Sequence, residues 1–254
     1  IGVVGPVRTG KSTFIRRFME IAALPQMSER KQAEIRDQLP LSGSGKIITT
    51  VEPKFIPKEA VSVSLGTEQK VIDCVGFLVK DAGGNMEDGK ERMVRTPWSE
   101  KAIPFHEAAR IGTQKVIEEH STIGLVITSD GSFGELPREN FTEAEEETIQ
   151  ELKKQHKPFL VLVNSQMPYK EAAQKAVSEI QEKYQVTALS VNCDQLHKED
   201  IAQILEKILY EFPVSQIQFF IPKWVEMLPI SHKIKAAAIA EARRILEQVN
   251  VMIK

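Results

Sequence analysis

Apolar positions along this chain change period several times, and the changes mark out its elements. The opening Ile1-Gly-Val-Val4 is short, β-branched and apolar, which predicts a buried strand. From Ser12 to Leu24 the residues Phe14, Ile15, Phe18, Ile21 and Ala22 recur at helical spacing and predict an amphipathic helix. Ser28 to Leu39 is polar with Ile35 and Leu39 on one face and stops at Pro40, after which Leu41-Ser-Gly-Ser-Gly-Lys46 reads as a mobile loop. Three short strands are predicted next, near 51–56, 60–65 and 70–75, and the lack of a helical stretch between them predicts hairpin pairing. Phe77 to Pro104 is rich in Gly, Asp, Glu and Lys and reads as a long irregular connection, of a length that is usually functional or disordered.

From Phe105 the pattern becomes regular. Helices near 105–120, 142–156, 169–184 and 198–211 alternate with strands near 122–128, 158–164 and 186–192, which predicts an α/β fold with a mostly parallel sheet flanked by helices. Ile123 to Ile127 and Phe159 to Val163 are almost wholly apolar, as strands covered on both faces are, so a ligand is expected at the carboxyl ends of the strands. Thr142-Glu-Ala-Glu145 matches a capping box, and the acidic run Glu143 to Glu147 reads as a solvated helix start. Past Glu211-Phe-Pro213 the alternation ends. Val214 to Ile221 reads as a strand, and Ser231 to Lys254 as an alanine-rich helix with Ile234, Ala238, Ile245, Val249 and Ile253 on one face. The predicted division is one domain over 1–212 and, over 213–254, the start of a second, smaller α+β element.

Composition narrows the functions open to such a fold. A chain of 254 residues with 42% apolar content buries one substantial core. Its 33 basic and 35 acidic residues leave a net charge of -2, with no general attraction for nucleic acid, which is not expected as a partner. No apolar run approaches the roughly 18–20 residues of a membrane span, and no signal-like segment precedes the first strand, so the expected location is cytoplasmic. The two cysteines, Cys74 and Cys193, fall in predicted strands and are expected to be buried free thiols. The first residue is not methionine, and the terminal helical pattern stops without a capping signal, which reads as a fragment.

The chemistry is concentrated at the start. Gly5-Pro6-Val7-Arg8-Thr9-Gly10-Lys11-Ser12 is a full G-x-x-x-x-G-K-S between a predicted strand and a predicted helix. In such a loop the backbone N–H groups from Gly5 to Thr13 cradle the phosphates, the Lys11 ammonium reaches the β/γ oxygens, and the Ser12 hydroxyl ligates Mg²⁺. A second motif, Asp73-Cys-Val-Gly76, delivers a carboxylate at a strand end to hold Mg²⁺ and a glycine whose N–H can approach the γ-phosphate. A third, Thr49-Thr50, offers a hydroxyl that closes on the metal and the γ-phosphate. Thr50 is slightly preferred as the metal ligand, and both are catalytic candidates with Lys11 and Asp73. Hydrolase, kinase and switch all remain open. His106 and His120 read as packing or capping residues, whereas Arg8 and Arg16 are candidates to reach a phosphate, with Arg8 equally a candidate to face solvent or a neighbouring subunit, and Arg92 and Arg95 are candidates to act on a neighbouring copy's nucleotide.

These motifs together resemble the translation-factor-related GTPases, in which an Asn-Lys-x-Asp reads guanine after a later strand. Here that place holds Asn164-Ser-Gln-Met167. Met167 cannot accept the hydrogen bonds of a guanine edge, so the resemblance implies lost guanine preference and ATP as the substrate, with Asn164 retained as a contact. Phe77 stands where a water-orienting residue often follows the D-x-x-G.

The longer strings Gly2-Val-Val-Gly-Pro-Val-Arg-Thr-Gly-Lys-Ser-Thr-Phe14, Asp73-Cys-Val-Gly76, Thr96-Pro-Trp98, Ile103-Pro-Phe-His-Glu-Ala-Ala109 and His120-Ser-Thr-Ile-Gly124 are more specific. They are similar to the stage IV sporulation protein A family, the spore-coat morphogenetic ATPases of endospore-forming bacteria. The resemblance implies Mg²⁺-dependent ATP hydrolysis in the mother-cell cytoplasm, coupled to self-assembly into a homopolymer on the outer forespore membrane. It also implies contacts with spore coat proteins and, through regions beyond these residues, with a small amphipathic membrane-anchoring peptide. A nucleotide switch that binds an effector without polymerising is the alternative.

Overall fold

The computed structural model describes residues 1–40, 54–62, 68–80, 86–87, 90–134, 136–212 and 217–252. The predicted glycine-serine loop at 41–46 and the Thr49-Thr50 pair lie outside them.

The first unit, Ile1–Glu211, is built on a six-stranded sheet. In chain order its strands are β1 (Gly2–Val4), β2 (Lys54–Ser62), β3 (Glu68–Asp73), β8 (Gly124–Ser129), β9 (Phe159–Asn164) and β10 (Ala188–Val191). In space they run β10-β9-β8-β1-β3-β2, with every pairing parallel except the β2–β3 hairpin at the edge. This is an α/β fold with a mostly parallel sheet, as the alternation predicts. The helices are α1 (Lys11–Phe18), α2 (Glu29–Arg36), α3 (Phe105–Lys115), α4 (Thr142–Lys154), α5 (Glu171–Tyr184) and α6 (Lys198–Tyr210).

Why these residues form a two-sided layer is visible in β8 and β9, where every residue is buried. Successive side chains of a strand point to opposite faces. Leu125, Ile127, Leu160 and Leu162 accordingly pack with Phe14, Phe18 and Ile204 of α1 and α6, while Val126, Val161 and Val163 pack with Ile149, Leu152 and Val177 of α4 and α5. A fully buried side chain of this size contributes about 1.5–3 kcal/mol, and both faces must be apolar for both helical layers to hold.

Several expectations are corrected. The two strands expected near 51–56 and 60–65 are one strand, β2, whose register shifts between Ile56 and Val61. A bulge lets one strand keep pairing across an irregular stretch that the sequence pattern reads as a break. The supposedly irregular 77–104 contains β4 (Met86–Glu87) with β5 (Lys90–Glu91), and β6 (Met93–Thr96) with β7 (Ser99–Pro104). The second hairpin turns at Pro97-Trp98, and Val94 and Ile103 pack under Phe105 of α3. Arg92 lies 4.9 Å over the Phe105 ring, and His106 pairs with Glu91 at 2.6 Å. The first helix changes form at Phe18, continuing as a π turn (Met19–Ala23) and a 3-10 turn (Leu24–Gln26).

The capping box at Thr142 does not form. The Thr142 hydroxyl donates to the Glu139 carbonyl at 2.8 Å. Glu145 is 1% exposed and takes both arms of the Arg138 guanidinium, at 2.5 and 2.9 Å. A carboxylate that finds a bidentate Arg partner tolerates a burial that an unpaired one does not.

The second unit, Phe212–Lys254, carries α7 (Lys223–Glu226) and α8 (Lys233–Met252). Lys235 donates its ammonium to the carbonyls of Glu226 and Leu228, at 2.6 and 2.9 Å, and closes the end of α7. The strand expected at 214–221 is absent over the described residues 217–222. An apolar run becomes a strand only with a neighbour to pair its amides. Among the described residues no helix is long and apolar enough to cross a membrane.

Cys74 and Cys193 lie just past the ends of β3 and β10 and are buried free thiols. Burial pushes the Cys74 thiol up to about 11 and raises that of Cys193 further. Because the thiolate is the reactive form, neither cysteine should react with a thiol reagent at pH 8 in the folded protein, and both should react after unfolding in guanidinium. Stoichiometric labelling of the native protein would contradict this placement.

Candidate nucleotide-binding site

β1 sits between β3 and β8, with Val3 opposite Asp73 and Val4 opposite Val126. All three strands are parallel, so their carboxyl ends open on the same edge. The loop after β1 and the carboxylate ending β3 therefore meet there, which is where the parallel pattern predicts a ligand.

The loop is shaped by positions that exclude a side chain. Gly5 has φ of +126°, and a Cβ there would stand 2.4 Å from the Ile127 carbonyl of β8. Gly10, at φ +94°, would collide with the Asn164 amide at 2.5 Å. Arg8 also takes a left-handed φ, of 63°, with its side chain exposed. A non-glycine residue in that region costs roughly 1–3 kcal/mol and persists where the surroundings enforce it. Thr9 helps to enforce it, donating its hydroxyl to the Pro6 carbonyl at 2.9 Å. Thr13 follows Ser12 in the first turn of α1.

Lys11 begins α1 and is 5% exposed. Its ammonium donates to the carbonyls of Gly5 and Pro6, at 3.3 and 2.5 Å. Burial pulls its pKa down, and the nearby Cys74 and Asp73 oppose that pull. The Ser12 hydroxyl donates to Asp73 Oδ2 at 3.1 Å. Asp73 holds its proton to higher pH than an ordinary aspartate, first because it is desolvated, with Lys11 and Ser12 working against the shift. Its other oxygen, Oδ1, is buried and has no hydrogen-bond partner among the described residues, although the Cys74 backbone N–H lies near enough to the carboxylate to favour its charged form. A carboxylate oxygen left bare beside a hydroxyl is a hard-oxygen donor set that fits Mg²⁺. Among the described residues no group of three or more His, Cys, Asp or Glu could hold a metal by itself, so the remaining ligands would be phosphate oxygens and water, the usual arrangement for Mg²⁺.

Gly76 lies against the loop. A Cβ on it would be 2.0 Å from the Gly5 carbonyl oxygen and 2.8 Å from the Lys11 ammonium. Beside it the Phe77 carbonyl accepts the Val7 N–H at 2.9 Å, and the Phe77 ring is 2% exposed in the core. Phe77 is thus a core anchor whose backbone caps a loop donor. The sequence marks Phe77 as a departure but does not show that its carbonyl occupies one of the loop's N–H groups.

Asn164, at the end of β9, is 4% exposed. Its Nδ2 donates to the Thr9 carbonyl and its Oδ1 accepts the Cys193 N–H, both at 3.0 Å. The structure therefore shows this residue bracing the phosphate loop against the turn after β10, a role the sequence does not announce beside the expected nucleotide contact. Met167 is 52% exposed, three residues on. Lys11, Ser12, Asp73, Gly76 and Asn164 are brought together. Arg16 instead lies near Asp194 at 3.9 Å, and Arg95 is exposed on β6.

Residues 1–213 match the family model described as stage IV sporulation protein A, ATPase domain. The chain belongs to that family. Curated relatives named stage IV sporulation protein A include that of Clostridioides difficile (strain 630), 47% identical over 249 residues, covering 96% of this chain and 51% of the relative. The protein of that name from Bacillus subtilis (strain 168) is 45% identical over 237 residues, covering 91% and 48% respectively. That from Bacillus anthracis is 44% identical over 238 residues with the same two coverages. The chain spans about half the length of the curated relatives it matches.

The packing of Gly76 on the loop generates a direct expectation. Gly76→Ala forces a left-handed alanine and a backbone collision at once, and should destabilise the protein by about 1–3 kcal/mol while lowering nucleotide turnover. Thermal melting and phosphate release check it, and an unchanged variant in both assays would contradict the packing described.

Proposed function

We propose that this chain binds and hydrolyses ATP, with Mg²⁺, and that hydrolysis drives self-assembly into the basement layer of the bacterial spore coat. The observation that carries the hydrolytic part is the cluster of Lys11, Ser12 and Asp73 at the meeting of β1 and β3, with the Asp73 Oδ1 bare. The family's ATPase domain supports the choice of reaction.

In this reading the triphosphate lies along the loop and the Lys11 ammonium leaves the Gly5 and Pro6 carbonyls to meet β/γ oxygens. Its burial raises the effect of its charge, because a low-dielectric site screens little. Ser12 and Asp73 would hold Mg²⁺, which would supply positive charge against the phosphates. Water attacks the γ-phosphorus in line, and ADP leaves from the opposite side. The buried Phe77 ring cannot orient that water, so the group that does belongs elsewhere, with Thr49 and Thr50 the candidates. Substrate choice follows from Met167, which offers no carboxylate to a guanine edge, and ATP is the nucleotide of this reading.

The assembly belongs to the mother-cell cytoplasm and the outer forespore surface, with further copies of the same chain and spore coat proteins as partners. The names of the relatives support a sporulation role.

Phosphate release from ATP in Mg²⁺, measured beside sedimentation of polymer, tests both parts. Lys11→Ala should lower turnover on the order of 10²–10³-fold, the scale of losing one preorganised charge-stabilising donor, and should abolish ATP-dependent pelleting. Equal phosphate release by both proteins would overturn the hydrolytic reading. Turnover without polymer would leave the enzyme and remove the assembly.

A further inference from the structure

The pair of half-buried Arg138 and buried Glu145 has no part in phosphate chemistry, yet it is tied to the cradle by a continuous set of hydrogen bonds. The Arg138 guanidinium that grips Glu145 also donates to the Thr128 hydroxyl at 3.1 Å and to the Ser129 carbonyl at 3.3 Å. Both residues end β8 and are fully buried. The chain then turns sharply. Ser129 Oγ accepts the Gly131 N–H at 3.1 Å, and Asp130 Oδ1 accepts the Ser132 N–H at 2.9 Å and the Ser132 hydroxyl. Gly131 has φ of +84°, and a Cβ on it would sit 2.7 Å from the Arg138 backbone nitrogen, so the turn is pressed against the residue that anchors it.

From this turn the bonds pass to the next strand. Ser132 Oγ accepts the Gln166 N–H at 2.9 Å, and the Asp130 N–H donates to the Asn164 carbonyl at 3.3 Å. Asn164 in turn holds Thr9 of the phosphate loop. The order of the sheet says which end of a nucleotide would meet this loop. Asp73, on β3, lies to one side of β1 and marks the metal and γ-phosphate end, whereas β9 lies on the other side beyond β8. A nucleoside leaving the phosphate loop on the side away from Asp73 would run toward the 164–167 segment.

We propose that Ser132, held by Asp130 in the turn that Arg138 and Glu145 anchor at Thr128 and Ser129, is a positioning residue for the base-side loop 164–167, controlling affinity for the nucleoside part of ATP while leaving the grip on the triphosphate alone. It rests on the reading of the cradle as an ATP site. The two can be told apart with two ligands, ATP and inorganic triphosphate, which has phosphates and no nucleoside.

Isothermal titration of both ligands in Mg²⁺, with steady-state turnover, should be run on the wild type, Ser132→Ala and Glu145→Gln. Ser132→Ala should weaken ATP binding and raise KM by about tenfold, the loss that goes with one ordering hydrogen bond. Triphosphate affinity, saturated turnover and melting temperature should stay at wild-type values. A merely structural role for Ser132 would move the melting temperature and not this ratio of ligand affinities. Glu145→Gln, which keeps the shape and removes the charge, should shift the same ratio in the same direction. Glu145 is buried and Ser132 exposed, so Ser132→Ala carries the test whatever becomes of the other variant. Unchanged ATP affinity in Ser132→Ala, or an equal loss for both ligands, overturns the proposal. A wild type that binds neither ligand overturns the ATP reading and this inference with it.

Discussion

The cradle depends on backbone approaching backbone where no side chain can stand. Gly5 meets the carbonyl of Ile127 and Gly76 meets the carbonyl of Gly5, while Gly10 leaves room for the side-chain amide of Asn164. Three strand ends, β1, β3 and β8, converge because their pairings are parallel and in register, and glycine is what lets their loops close to this distance. A Cβ at Gly76 would press on the Lys11 ammonium as well as on the Gly5 carbonyl, and the geometry of the site would go with it. The apolar layers on both faces serve the same end. They hold the strands in a single register, and the register decides that Asp73 ends up beside Ser12.

Into that packed junction the fold places two charged side chains that burial disfavours. Lys11 is driven toward its neutral form and Asp73 toward its protonated form by the same desolvation, each only partly relieved by the other. Such a pair is strained without a ligand and suited to one. Phosphate oxygens give the ammonium a counter-charge, and a divalent cation gives the bare Asp73 oxygen a partner, so a triphosphate and its metal would satisfy what the protein alone leaves short. Buried groups with shifted protonation also occur in purely structural networks. Here they sit at a loop whose backbone is itself left-handed at Arg8, which favours a functional reading.

Much of this was legible in the sequence, for reasons that differ by element. The runs at Gly124–Ser129 and Phe159–Asn164 are continuous and apolar, so the parallel sheet was visible in periodicity alone, and the Gly5–Ser12 motif is specific because each of its residues has its own steric or chemical duty. What stayed hidden was non-local. The acidic run at Glu143 reads as solvated because its partner Arg138 is in a 3-10 turn whose approach no local pattern announces. The β6–β7 hairpin was masked by the charged residues around it, since its stability comes from Val94 and Ile103 packing on Phe105. Asn164 stands where the resemblance expects a nucleotide contact, and its two hydrogen bonds add a bracing role that no local pattern announces.

The central claim is that Gly5–Ser12 and Asp73 form one Mg²⁺-dependent ATP site. Equilibrium binding of a slowly hydrolysed ATP analogue, titrated against Mg²⁺ in the wild type and in Asp73→Asn, tests it most directly. Affinity should rise with Mg²⁺ in the wild type and be flat in the variant. Binding that responds to Mg²⁺ equally in both proteins would contradict the account.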